Sequence, residues 1–272
     1  MYTYSLEQWL LFFFFYCFCG WIWECLYVSL KEQKWVNRGF MHGPLLPIYG
    51  SGAIVVLFLA LPVRNNFVLV FISGMIGATI LEYFTGAAME RLFHMRYWDY
   101  TGKPFNLNGH ICLFCSIGWG FFSVALVEFA HKPVERIILM IPRNVTDILA
   151  FVITVLAVVD FTQSFNAAMD LREMLEKVTE NNDTLRHLEK RVDVVAAVVD
   201  DDIKQIKEKS SKRLKELEQY VKNPKLLKDR PKRLRVARSV RMLRRNPYAK
   251  SKEFAEALGQ VKNIVMDFRK KD

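Results

Sequence analysis

Apolar residues dominate five stretches in the first 169 residues, and short polar segments separate them. The pattern predicts transmembrane helices over about residues 5–30, 39–63, 67–89, 110–130 and 145–169. These lengths fit the roughly 20 apolar residues with which a helix crosses the hydrocarbon of a bilayer. We therefore expect an all-α fold, in which residues 1–169 form a polytopic helical membrane domain with five transmembrane helices.

The second stretch contains an interruption over residues 39–52, where four glycines and two prolines occur. Residues of these two types at such density disfavour a continuous helix. Within a membrane, irregular backbone is tolerated only where protein buries it or where it lines a wet cavity. The pattern therefore predicts a bent or unwound entry into the second helix.

Residues 170–206 follow a repeat of seven. Apolar residues fill every a position, namely Leu171, Val178, Leu185, Val192, Val199 and Ile206. This repeat favours a coiled coil that assembles a homo-oligomer, and Asn181 at a d position would then fix its register. The alternative is a helix that packs on its own domain.

Residues 207–250 are strongly basic and carry a thin apolar stripe, formed by Leu234, Ala237, Val240 and Leu243. A basic amphipathic helix is typical of a segment that binds anionic lipid at a membrane surface. Nucleic acid is the rival partner, but attachment to a membrane domain favours lipid. Residues 251–272 predict a last amphipathic helix, whose apolar face begins at Phe254.

Charge separates the two halves of the chain. The 272 residues carry a net charge of +10, yet basic and acidic residues balance over residues 1–169, so the whole excess lies in the tail. Basic segments concentrate on the cytoplasmic side of membrane proteins. Since five helices place the two termini on opposite sides, we expect a multi-pass protein of the cell membrane with its amino terminus outside and its tail in the cytoplasm.

Three acids lie inside apolar stretches, and they are Glu24, Glu82 and Asp160. In the expected topology their helices run parallel, and each acid lies a few residues beyond the middle of its helix, so the three reach a similar depth. Acids within a membrane are costly and usually face a pathway or a partner. They predict a site for a proton, a cation or a cationic substrate. The alternative is structural pairing, which we favour for Asp160.

The polar loop after the third stretch contains five further candidates, Glu90, Trp98, Asp99, Tyr100 and His110. An acid between two aromatic residues is typical of an interfacial loop that folds back on the helices. A substrate contact by Trp98 or Asp99 is the second interpretation. For Glu90 and His110 we favour a surface role and a helix-capping role.

Other chemistry has little support in the sequence. The five cysteines lie in apolar surroundings, and their odd number argues against a disulfide framework. We interpret the pair Cys112-x-x-Cys115 as packing residues rather than a redox motif. No spacing predicts a metal or cofactor site, and no nucleotide-binding or hydrolase motif occurs.

An ordered string of motifs resembles a known family. It comprises Trp23-Glu24, Asn37-Arg38-Gly39-Phe40, Gly43-Pro44, Pro47-Ile48-Tyr49-Gly50, Glu82-Tyr83, Glu90, Trp98-Asp99-Tyr100, Phe105-Asn106 and Gly109-x-Ile111-Cys112. Over about residues 5–130 the chain is similar to the ABC-transporter type IV family, the CmpB-like permeases of bacterial membranes. The resemblance implies a permease component, and since the chain has no ATPase motif, any ATPase would be a separate subunit.

These observations predict a permease-like component whose substrate the sequence does not reveal. The site residues that we predict are Glu24, Glu82, Arg38, Tyr49, Asp99 and Trp98. Two alternatives stay open. One is a membrane-bound enzyme that acts on a lipid-linked substrate, and the other is a membrane organiser that does not transport and works through its coiled-coil tail.

Overall fold

A computed structural model describes residues 4–192, residues 212, 215, 216 and 219, and residues 230–267. The regular secondary structure of these residues is helical apart from one short hairpin. The helices are α1 (Leu6–Glu32), α2 (Pro47–Ala60), α3 (Phe67–Phe93), α4 (Leu113–Ala125), α5 (His131–Met140), α6 (Arg143–Val192), α7 (Arg230–Arg245) and α8 (Ala255–Asp267). A 3-10 turn (Leu61–Val63) follows α2, and a π-helix (Leu126–Ala130) joins α4 to α5. Two short antiparallel strands, β1 (Asn106–Leu107) and β2 (Ile111–Cys112), form a hairpin before α4.

Four helices are long and apolar enough to cross a membrane. They are Leu6–Glu32, Phe67–Phe93, Leu113–Met140 and Arg143–Glu180. The second apolar stretch gives only the shorter helix Pro47–Val63. The 14 residues of α2 rise about 21 Å at 1.5 Å each, which is less than the hydrocarbon thickness of about 30 Å. The described residues thus contain four helices of membrane-spanning length, and the predicted count of five is not confirmed.

The helix that begins at Leu113 continues further than the sequence predicted. Residues 131–144 were expected to form a loop, but α5 extends to Met140. The charged residues of this segment had suggested a loop because they interrupt the apolar pattern. In the structure Lys132 lies on the exposed side of α5, whereas Val134 and Ile138 are buried on the other side. An amphipathic helix end therefore replaces the expected loop.

An apolar core forms around α1 and α2, which pack against each other. Phe12, Val56, Leu57 and Val70 are fully buried there. Gly20 is required by this packing, because a methyl group in its place would overlap the ring of Tyr49. Many large apolar side chains on the outer faces of the same helices are exposed, as lipid contact requires.

The chain divides into two compact units. The first comprises residues 1–92 and 96–164, and the second comprises residues 93–95 and 165–272. The second unit thus includes three residues from the end of α3 and the turn after it. Within this unit the ring centroids of Phe93 and Phe165 lie 5.2 Å apart, and Ser251 Oγ donates a hydrogen bond of 2.6 Å to the His94 carbonyl. His94 has a φ of 53° and also contacts Glu253.

The predicted heptad face is partly covered by the chain itself. Leu171 and Val178 occupy a positions, and both are buried within the second unit, as is Leu175. This burial corresponds to the alternative of a helix that packs on its own domain. The later heptad positions Val199 and Ile206 lie outside the described residues.

The apolar faces of the last two helices are also buried within the second unit. Val240 and Leu243 of the predicted basic stripe are 7% and 1% exposed, whereas Leu234 is 45% exposed. The face of α8 that begins at Phe254 is buried through Val265, and Phe268 lies outside the described residues. Most of the predicted lipid-binding segment, residues 207–229, is likewise outside them apart from four isolated positions.

Candidate functional site

Glu24 lies on α1 opposite the first turn of α2. Tyr49 Oη donates a hydrogen bond of 2.7 Å to Glu24 Oε1. Arg38 Nε lies 3.8 Å from Glu24 Oε2, which is ion-pair range but longer than a hydrogen bond. Arg38 also donates to the Tyr97 carbonyl at 3.1 Å. The close contact at Gly20 allows this approach of the two helices, because it lets the Tyr49 ring lie against α1.

Glu82 lies on α3 and is 6% exposed. Its carboxylate accepts two hydrogen bonds, one of 3.1 Å from Tyr100 Oη and one of 2.9 Å from Trp119 Nε1. Both donors are neutral, and no cationic side chain of the described residues lies within ion-pair distance of Glu82. Burial raises the pKa of Tyr100, so this hydroxyl keeps its proton and remains a donor.

Tyr49 contacts only one of the two acids directly, since its hydroxyl bonds to Glu24. Of the predicted set, the structure brings Glu24, Arg38 and Tyr49 into contact, whereas Glu82 bonds to Tyr100 and Trp119. A buried carboxylate with neutral partners carries an uncompensated charge, which is costly unless the group binds a proton or a cation. The arrangement is chemically suited to that binding.

Asp99 and Trp98 belong to a different arrangement, which is centred on Arg96. The Arg96 side chain is 3% exposed and bonds to Glu90 Oε2 at 2.7 Å, Asp99 Oδ1 at 3.2 Å and the Asn108 carbonyl at 2.8 Å. The hydrogen bond that Arg96 donates to Glu90 raises the pKa of Arg96. Trp98 Nε1 donates to the His110 carbonyl at 2.9 Å. We call Glu90, Arg96, Trp98 and Asp99 the Arg96 loop, in which Arg96 links the two carboxylates to the Asn108 carbonyl between α3 and α4.

Asp160 has the structural role that the sequence favoured. Its two oxygens accept backbone hydrogen bonds from His42 at 3.0 Å and Gly43 at 2.7 Å. Ser164 Oγ adds a longer bond of 3.4 Å. The carboxylate thus fixes the irregular segment that leads into α2, and it does not join the other two acids.

Sequence reasoning missed the roles of three residues that hold the acids in place, namely Tyr100, Trp119 and Arg96. Tyr100 was considered only as a neighbour of Asp99, although it is the group that reaches Glu82. Trp119 lies in an apolar stretch where nothing distinguishes it from a lipid-facing aromatic residue. Arg96 was not among the candidates, although four acceptors surround it.

Comparison with known proteins adds one finding. A model of the family described as "Putative ABC-transporter type IV" matches residues 11–165. Neither the curated proteins nor the solved structures provided a match. The matched region covers more than half of the chain and includes Glu24, Glu82 and the Arg96 loop. The chain belongs to this family of ABC-transporter-type membrane proteins.

Proposed function

We propose that this protein is a permease-like component with a proton or cation site inside the membrane, formed by Glu24, Glu82 and Tyr49 with Arg38 beside it. The single observation that supports it best is Glu82, whose buried carboxylate is bonded by two neutral donors. Family membership favours transport over the other classes. Any ATPase would be a separate chain, because the sequence has no nucleotide-binding motif.

The energetic argument rests on the burial of Glu82. An ionised carboxylate in an apolar environment costs several kcal/mol unless a positive charge compensates for it. Neutral hydrogen bonds recover only part of this cost. A proton or a bound cation recovers more, so occupancy of the site by either changes the stability of the fold. That change is the property by which a transport site couples ligand to conformation.

Trp98 and Asp99 contribute to the proposed site indirectly. Their bonds fix the Arg96 loop, and that loop positions Tyr100, whose backbone N–H donates to the Gly109 carbonyl at 2.9 Å. Tyr100 in turn donates to Glu82. We therefore assign the two residues a positioning role in place of direct substrate contact.

The membrane arrangement is part of the proposal. We propose that the shortened α2 also crosses the bilayer together with the four longer helices, so that the amino terminus lies outside and the basic tail lies in the cytoplasm. The tail would bind anionic lipid through exposed basic residues such as Arg241 and Arg244, since its apolar stripe is largely buried. The heptads beyond Val192 would supply the contact for a homo-oligomer.

The test is thermal unfolding of the purified full chain over a series of pH values and monovalent cations. We expect the wild-type midpoint to depend on pH or on one cation, and Glu82→Gln to weaken the pH dependence and remove any cation dependence while the protein stays folded. Glu24→Gln should reduce the dependence, and the double variant should equal Glu82→Gln alone, because both residues serve one site.

Glu128→Gln is the matched control, because Glu128 pairs with Lys132 on the surface at 2.8 Å. It should retain the wild-type dependence. A well-folded Glu82→Gln variant with an unchanged response to pH and cations would refute the proposed site.

A further inference from the structure

His131 is the first residue of α5, directly after the π-helix Leu126–Ala130. It is 1% exposed, although the sequence predicted a loop at this position. Single π-helical turns are rare and occur frequently at functional sites. This one changes the helical register just before the histidine, and the ring of His131 lies 4.9 Å from that of Phe12 on α1.

Both ring nitrogens of His131 lie near tyrosine hydroxyls. Tyr16 Oη is 3.0 Å from Nδ1, and Tyr4 Oη is 3.4 Å from Nε2. Tyr4 also donates its single hydroxyl proton to Glu135 Oε1 at 2.5 Å. Since that proton is committed, the Tyr4 oxygen accepts from Nε2–H, and Nδ1 accepts from Tyr16. Every donor then has an acceptor, which assigns the Nε2–H form to the neutral ring.

The same cluster faces a cleft of about 330 Å³, which His131 and Glu135 help to line. The other charged groups at the cleft are Arg64, from the end of the 3-10 turn, and the ion pair of Glu128 with Lys132. From α1 and the residues before it, the groups that face the ring are Tyr4, Tyr16 and Phe12. Glu135 is thus the nearest acid on the hydrogen-bonded path between His131 and the cleft.

We propose that His131 is a second proton-binding site, which takes up a proton from water in this cleft. One proton moves from hydronium in the cleft to Nδ1, which leaves a neutral water molecule, and the Tyr16 hydroxyl turns from donor to acceptor. The negative charge of Glu135, relayed through Tyr4, balances the imidazolium. Tyr16 and Glu24 are eight residues apart on α1, or about 12 Å, so this site is separate from the proposed acidic site.

The experiment is nitrogen NMR of the full-length protein with labelled histidine, titrated with acid. His131→Gln identifies the His131 signal among the five histidines of the chain. We expect the neutral ring to carry its proton on Nε2 and to become doubly protonated while the protein stays folded. Glu135→Gln should lower the titration midpoint by about 1 pH unit, because it removes the compensating charge.

Glu128→Gln is the control on the same helix and should leave the midpoint unchanged. Tyr4→Phe keeps the His131 ring and Glu135 but removes the hydroxyl that links them, so it should also lower the midpoint. It is the variant to measure where Glu135→Gln does not fold. The proposal is overturned if the ring stays singly protonated at every pH at which the protein is folded. It is also overturned if Glu128→Gln shifts the midpoint as far as Glu135→Gln does.

Discussion

Glu82 and the Arg96 loop lie close together in the sequence, but their carboxylates have different kinds of partner. In the Arg96 loop, Glu90 and Asp99 both contact one buried guanidinium, so each carboxylate has a cationic partner. Glu82 is buried as well, yet its two donors are a phenol and an indole. The proposed ligand site rests on this difference between acids that pair with a cation of the protein and an acid that bonds to neutral donors.

The largest effect that this comparison predicts follows removal of Arg96. Arg96→Gln would remove the guanidinium that Glu90 and Asp99 share, and breaking a buried ion pair on one side typically costs about 3–5 kcal/mol. We expect a large loss of folded protein in size-exclusion chromatography. Arg91→Gln, at an exposed position near the same end of α3, is the control and should behave like wild type.

A smaller effect separates the two kinds of acid directly. Glu90→Gln weakens a charge-assisted hydrogen bond to Arg96 and should cost about 1.5–3 kcal/mol in the free energy of unfolding. Glu82→Gln removes a buried charge that has no cationic partner, so at neutral pH it should cost less than about 1 kcal/mol or stabilise the fold. Denaturant unfolding of both variants measures the difference. Equal destabilisation by the two variants would contradict the difference between Glu90 and Glu82.

A small effect is also expected at Arg38. Its Nε lies 3.8 Å from Glu24, and the Glu24 side chain is 26% exposed, so the pair resembles a partly solvated ion pair. Such pairs contribute at most about 1 kcal/mol. Arg38→Gln should therefore lower the thermal midpoint only slightly. A loss as large as that of Arg96→Gln would show that Arg38 compensates a buried charge after all.

The sequence predicted the acids better than their surroundings. Glu24 and Glu82 are recognisable because charges interrupt apolar stretches, and counting residues along each helix places them at similar depth. The partners of Glu82 have no such signal, since Tyr100 comes from a loop and Trp119 from an apolar helix. The role of Arg96 was equally hidden, because its acceptors are brought together by the loop conformation.

The helix boundaries show the same limit. Glycines and prolines correctly indicated the irregular entry into α2, because their backbone constraints are local. The end of the helix at Met140 was missed, because charged residues on one side of an amphipathic helix resemble a loop when only composition is considered. His131 was overlooked for the same reason, although it is one of the most deeply buried polar residues of the described chain.

The three residues that the second unit recruits affect how freely the tail of this protein can be exchanged during evolution. Phe93, His94 and Met95 are encoded far upstream of the tail that covers them, and Phe93 and Met95 are each 2% exposed. A recombination that replaced the chain after Ser164 would have to supply a matching surface for this patch. Inheritance of the tail as an independent module is therefore disfavoured, and changes at residues 93–95 should be tied to changes around Ser251 and Phe254.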